Sequence, residues 1–406
     1  VSTIIIYVTV FYREKGIISG MKLENVSNSQ MIKEINQQKV LRLIFTEGPI
    51  ARVEIARKTG LTQQTITNIV NRLLKKNIIF ESNAILSGTK RRPIPLEINS
   101  SNLYCIGIEL AVTYVRGTLM DFQNNILKEV TEVVPRYEHE QHPMQFIYKV
   151  IDHLLQYVPD LNGLKGIGFS IQGLVDSENG VVIYSPGLRW KNFHLRDILQ
   201  GEYGFPIFLE NDANLLALVE SLNGQLADSK QSITYKFDYG IGSAMVLQRQ
   251  LLHGANFVAG EFGHYKAFSG EYAIKCHCGA EGCLTTLASI SGLRRYGVDF
   301  DEFESKVRQN DSEALKLFQT ICSAMGLAVA NSITLLNPEH IMFTGKVIDR
   351  MEDILMPILE REIKKLVPES CADVKILKLS QTPDESGSAA GLVMNHFFDV
   401  PFDKFY

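Results

Sequence analysis

Cysteine is scarce in this chain: six in 406 residues, and three of the six, Cys276, Cys278 and Cys283, fall within eight positions. Thiols this few and this clustered favour a metal or catalytic group in a reducing compartment, with disulfide pairing as the rival reading. A large charge of either sign is missing as well. Lys and Arg total 41 against 45 Asp and Glu, a formal net charge of −4. A secretory leader pattern is also absent. Val1–Tyr12 reads VSTIIIYVTVFY, which is apolar but shorter than the about 20 residues a bilayer crossing needs. It has no basic n-region and no small-residue cleavage site. The expectation is a cytoplasmic protein without membrane contact. Residues 1–30 are expected to form an extension, mobile or not native, with Met21 as an alternative start.

The apolar share is 45% and the charged share 21%, which provides ample core for two or three domains. The charge is unevenly placed. Residues 31–100 hold 12 Lys and Arg against 5 Asp and Glu, leaving 29 against 40 in the remainder. A basic segment suited to polyanions is thus joined to an acidic body.

Within 31–100, Ile35, Val40, Leu41, Ile44 and Phe45 recur at helical spacing until Gly48-Pro49 breaks the pattern. Val53, Ile55 and Ala56 open a short helix that Gly60 ends in the left-handed conformation. Thr62 fits the next N-cap, and Ile66, Ile69, Val70, Leu73 and Leu74 form one apolar face. Gln63, Gln64, Thr65, Thr67, Asn68 and Arg72 mostly face outward. Two short helices joined by a glycine turn are similar to a helix-turn-helix. Gln and Asn side chains can bond adenine in two places. Two short strands are expected at Ile78–Leu86 and Pro93–Ile98, with Lys90, Arg91 and Arg92 at the tip between them. That is the pattern of a wing set against phosphate. The partner expected is a double-stranded DNA operator.

From Leu103 onward strands alternate with helices, an α/β signature. Helices are expected at Pro143–Val158, Asp311–Leu336 and Met351–Val367, and a strand at His340–Phe343. Two similar halves, each opening with a glycine-bearing strand-turn-strand near Ile106 and Ile233, suggest two lobes (101–220 and 221–406) facing a cleft. In the second lobe, His264 precedes Cys276, Cys278 and Cys283 in GEFGHYKAFSGEYAIKCHCGAEGC. One imidazole and three thiolates make a standard structural zinc set. His277 is a competing ligand.

The order IGIEL, GFSIQGLVD, ENDAN, GIGSA, GAN-x-x-AGEFGH, CHCGAEGC, NPEHI and GSAAG, preceded by the winged helix, resembles the ROK family. That family holds sugar kinases and, where a winged helix comes first, sugar-responsive repressors such as those for xylose and N-acetylglucosamine. The resemblance implies a winged helix-turn-helix followed by a two-lobed, actin-like sugar-kinase body. It implies a structural Zn2+ on His264, Cys276, Cys278 and Cys283. It also implies a sugar site of Gly173, Asn211, Asp212, Glu261 and His264, with Asp212 at the position of the kinases' general base.

The departures are as informative. The family kinases open with D-x-G-G-T-K, whereas this chain has Glu109, Leu110, Ala111, Val112, Thr113 and Tyr114, which closes the space where backbone N–H groups meet phosphate. The second glycine run is reduced to Thr344-Gly345-Lys346. Thr285 and Gly187 replace a Glu and an Asn near the sugar. The expectation is a non-enzymatic, homodimeric or homotetrameric repressor of carbohydrate genes, with a carbohydrate effector and a vestigial Asp212. A ROK hexose kinase using ATP is the alternative.

Overall fold

The computed structural model describes residues 28–82, 94–135, 143–248, 250–379 and 384–398. The chain divides after Asn99 into two units, with Phe398 belonging to the first. In the first unit, α1 (Asn28–Glu47) leads through β1 (Ile50–Ala51) into α2 (Arg52–Thr59). Then come α3 (Gln63–Lys75), β2 (Ile79–Glu81) and β3 (Pro95–Ile98). Gly60, at φ 71°, ends α2 by donating its N–H to the Ala56 carbonyl, a conformation that carries no steric penalty for glycine. Thr62 starts α3, its hydroxyl accepting the Thr65 N–H at 3.2 Å. Ile66, Ile69, Val70 and Leu73 bury one stripe of α3 and Ile55 meets them from α2. β2 and β3 pair antiparallel, Ile79 opposite Ile98. β1 adds a third strand at Ile50–Leu96. At two residues, β1 is too short to carry any periodicity, and the sequence reading missed it.

The second unit begins with an antiparallel meander, β4 (Tyr104–Leu110), β5 (Tyr114–Asp121) and β6 (Ile126–Val133), followed by α4 (Met144–Leu155) and β7 (Leu164–Ile171). A side sheet of β8 (Leu174–Asp176), β9 (Val181–Ser185) and β10 (Trp190–Phe193) precedes α5 (Leu195–Tyr203), β11 (Ile207–Asn211) and α6 (Asp212–Asn223). The path then repeats with β12 (Gln231–Phe237), β13 (Ile241–Leu247) and β14 (Gln250–Leu251). After a long loop come α7 (Ile290–Arg295), α8 (Phe300–Arg308), α9 (Ser312–Leu336), β15 (His340–Thr344), α10 (Lys346–Leu366), β16 (Lys375–Lys378) and α11 (Glu385–Phe398). The two large sheets have the same order, β6-β5-β4-β7-β11 and β14-β13-β12-β15-β16. The repeat seen near Ile106 and Ile233 is therefore a repeat of topology. The expected start of α10 at Met351 is late by more than a turn: Asp238 accepts the Lys346 N–H at 3.2 Å, and the helix begins there.

Helices fill both faces of each sheet. Val150 and Leu154 of α4 cover the outer face of the first, and α9 and α10 share one core with Ile233, Tyr235, Phe237 and Phe343 on the outer face of the second. Helix α9 is long and apolar enough to cross a membrane by composition alone, and this core accounts for its buried side. Between the sheets, Ala213 and Ala217 of α6 pack on Ala244 and Val246, while Leu215 meets Ala389 and Leu392 of α11. The closing helix α11 returns to the first sheet. A Cβ at Gly107 would stand 1.9 Å from the Ser386 carbonyl oxygen, and one at Gly168 would stand 2.0 Å from that of Ala389.

Gly168→Ala is expected to lower stability by about 3 kcal/mol or to prevent folding, because a backbone oxygen cannot give way. Gly201→Ala on α5, with nothing within 4 Å, is expected to be neutral or to gain about 0.5 kcal/mol. Thermal melts of the pair check this.

Candidate functional site

The chain of polar contacts starts at the end of β11. Asn211 caps α6, its Oδ1 accepting the N–H groups of Ala213 (2.9 Å) and Asn214 (3.2 Å), while its Nδ2 donates to the Gly173 carbonyl at 2.8 Å. This capping rigidly orients the side chain and leaves one Nδ2 hydrogen for a ligand. Asp212 follows on the first turn of α6. Burial first, and then the charge of Asp212, pushes the Glu261 carboxyl above the usual carboxylate range. Glu261 Oε2 lies 3.6 Å from His264 Nε2. Of the five residues assigned to a sugar by resemblance, Gly173, Asn211 and Asp212 thus form one linked group and Glu261 and His264 another.

His264 turns its other nitrogen toward the cysteines. Nδ1 lies 3.6 Å from Cys276 Sγ, and Cys278 Sγ lies 3.6 Å from Cys283 Sγ. All four ligand atoms are within 4.8 Å of one another. A tetrahedral zinc requires edges of about 3.8 Å between sulfurs and about 3.6 Å between sulfur and nitrogen. Sulfurs 3.6 Å apart are not disulfide-bonded. His277 Nδ1 reaches 3.7 Å from Cys276, but the mutually close set takes its imidazole from His264. Burial first, then the charges of His277 and Lys266, holds His264 below the ordinary histidine value, toward the neutral form that binds a metal. Lys266 Nζ donates to Cys283 Sγ at 2.8 Å and to the His264 carbonyl at 2.8 Å, and would offset part of the negative charge of the thiolates were they to hold a metal.

Two groups that sequence reading missed border this space. Lys236, buried on β12, donates from Nζ to Asp212 Oδ2 (2.7 Å) and Glu385 Oε1 (2.6 Å). Burial alone would lower its pKa; the two carboxylates outweigh that and raise it. A lone lysine in the apolar run ITYKF was the available signal. On the other side, His253 Nε2 lies 3.0 Å from Glu210 Oε2.

The loop at Glu109–Tyr114 is a tight hairpin closed by Ala111 N–H donating to the Tyr114 carbonyl. Glu109 is buried, bonded by the Tyr114 hydroxyl and 3.7 Å from Arg116, which reaches Asp384 at 3.2 Å. Burial pushes the Glu109 carboxyl up and the Tyr114 bond partly offsets this. Val112 stands over Gly187, where a Cβ would be 2.4 Å from Val112 Cγ2. Thr285 is buried, its hydroxyl 3.3 Å from Ser289 Oγ.

In the first unit, Gln63, Gln64, Asn68 and Arg72 are exposed on α3, while Thr65 and Thr67 are half-buried. Gln64 Nε2 reaches Asn68 Oδ1 at 3.4 Å, and Thr67 bonds the Gln63 carbonyl. Lys90, Arg91 and Arg92 lie outside the described residues.

The ROK family pattern matches residues 105–394 and the MarR family pattern residues 33–80. The xylose repressor of Bacillus spizizenii is 27% identical over 390 residues, 93% of this chain and 99% of that protein. The N-acetylglucosamine repressor of Shigella flexneri is 26% identical over 374 residues, 88% of this chain and 89% of that protein. Among solved structures, a ROK family transcriptional regulator described as a homolog of the Escherichia coli MLC protein superposes with a TM-score of 0.78 at 25% identity, covering 91% of this chain and 98% of that one. A ROK hexokinase from Thermus thermophilus gives 0.62 at 23% identity, covering 72% of this chain and 100% of that one.

Purified protein is expected to carry about one zinc per chain by elemental analysis, and Cys283→Ser to lose it. The Glu210 bond, partly opposed by burial, raises the His253 pKa. The contact therefore adds stability below the unfolded value of about 6.5, lost as pH rises through the higher folded value. The stability gap between wild type and His253→Ala is expected to shrink as pH rises through that range in denaturant titrations.

Proposed function

The chain belongs to the ROK family, and from that membership we propose that it is a DNA-binding transcriptional repressor whose kinase-like body senses a sugar. The carrying observation is extent: the repressors and the transcriptional regulator align along nearly the whole chain, winged helix included, whereas the hexokinase aligns along the body alone. The exposed polar face of α3 would enter the major groove, with the basic segment at Lys90–Arg92 on the backbone. Pairing of two such units in a homodimer or homotetramer would read a palindromic operator in the cytoplasm.

The sugar would lie among Gly173, Asn211, Asp212, Glu261 and His264, where carboxylate, amide and imidazole can bond adjacent hydroxyls. A structural zinc would fix the loop bearing Glu261 and His264. Xylose and N-acetylglucosamine head the panel of candidate effectors because relatives are named for them. Kinase activity is set aside for two reasons. The Glu109–Tyr114 hairpin lacks the glycines that open backbone N–H groups to phosphate, and Asp212 is paired with Lys236 rather than free to take a proton.

Gln64→Ala is expected to change sequence preference, costing about 1–3 kcal/mol at one base pair. Arg91→Ala is expected to weaken all DNA alike and reduce the salt slope by about 1. Binding titrations on operator and random duplex separate these. No ADP is expected from ATP with any sugar of a hexose and pentose panel. Turnover abolished by Asp212→Asn would establish the kinase reading instead.

A further inference from the structure

A buried lysine between two carboxylates usually reads as a structural ion pair, but the position of Lys236 gives it more to do. On β12, Ile233, Tyr235 and Phe237 enter the outer core. Alternation then turns Lys236 toward the space between the sheets. Its ammonium meets Asp212 at the start of α6 and Glu385 at the start of α11, at 2.7 and 2.6 Å. Glu385 uses its second oxygen to accept the Ser170 hydroxyl of β7 at 3.1 Å. Two carboxylates from two helices therefore hold one position, the Ser170 bond fixes the second of them, and a cation fills the place between. In a phosphoryl-transfer cleft the general base holds the attacking hydroxyl, and the transferring phosphoryl with its metal stands in line close by. The family resemblance puts Asp212 at that base position.

We infer that Lys236 is a tethered cation occupying the metal–phosphate point of the cleft, so that the cradle of Asp212 and Glu385, the latter oriented by Ser170, is a hard-cation site filled by the chain's own side chain. Two consequences follow from the geometry. A divalent ion with its phosphate has no place beside Asp212 while the ammonium is there. The second sheet is also tied through one charge to α11 and to β7 of the first. A ligand hydroxyl arriving at Asp212 finds Oδ2 already engaged and bonds to Oδ1 or displaces the lysine. The cradle exists whichever sugar the body binds, so this inference can fail while the repressor reading stands.

The test is a short side chain that vacates the position. In zinc-loaded protein, Lys236→Ala is expected to gain about 3 °C in Tm at a tenfold excess of Mg2+ or Ca2+ over its Kd. These hard ions prefer oxygen cradles to thiolates. Wild type and Lys236→Ala/Asp212→Asn are expected to show no shift. A Lys236→Ala protein that folds and ignores both ions overturns the inference. Should that variant not fold, a charge cycle decides it. Lys236→Met is expected to melt below wild type and to recover part of the loss when Glu385→Gln is added, although Glu385→Gln alone lowers Tm. Additive losses in that cycle would equally overturn the assignment.

Discussion

Space between the two large sheets is the constraint on which the rest of the body depends. Each sheet is covered on its outer face by helices that carry large apolar side chains, such as Ile147, Val150 and Leu154 on α4 or Met351, Leu355 and Leu359 on α10. The inner faces share one thin layer, α6 and α11. That layer is thin where alanines of α6 pack on Ala244 and Val246 and where the backbone of α11 lies against the glycines of β4 and β7. Close packing of this kind leaves no slack. It sets the starts of α6 and α11 next to one another, and those starts carry Asp212 and Glu385. Chemistry at the cleft is a product of how the middle layer packs.

Local patterns in the sequence proved readable because short-range physics makes them. Gly60 and Thr62 mark the turn between α2 and α3 through a left-handed φ and a hydroxyl cap, both properties of single residues. The His264–Cys283 loop was readable because its ligand types and spacing have few other uses, and the structure brings the four atoms together. The repeated halves were visible as glycine-bearing hairpins, and the strand orders match.

What stayed illegible is pairing over long sequence distances. Lys236 and Glu385 are 149 positions apart, and Arg116 and Asp384 are 268 apart. Neither pair leaves a period or a motif. The return of α11 to the first sheet is written in Gly107 and Gly168, but a glycine in a strand does not say which backbone approaches it. Asn211 was read as a sugar ligand from its motif, and its second task, capping α6 and holding Gly173, became visible only with coordinates.

The contact of Val112 with Gly187 bears on how this chain could have changed, or could be changed. The two positions depart from the kinase pattern on separate stretches, yet they touch, so they are not independent edits. An amide restored at 187 first would collide with a stiff, branched neighbour. Trimming 112 to a smaller side chain opens the room, after which the amide can return. Trimming 112 before restoring the amide is the order of single steps that avoids the clash.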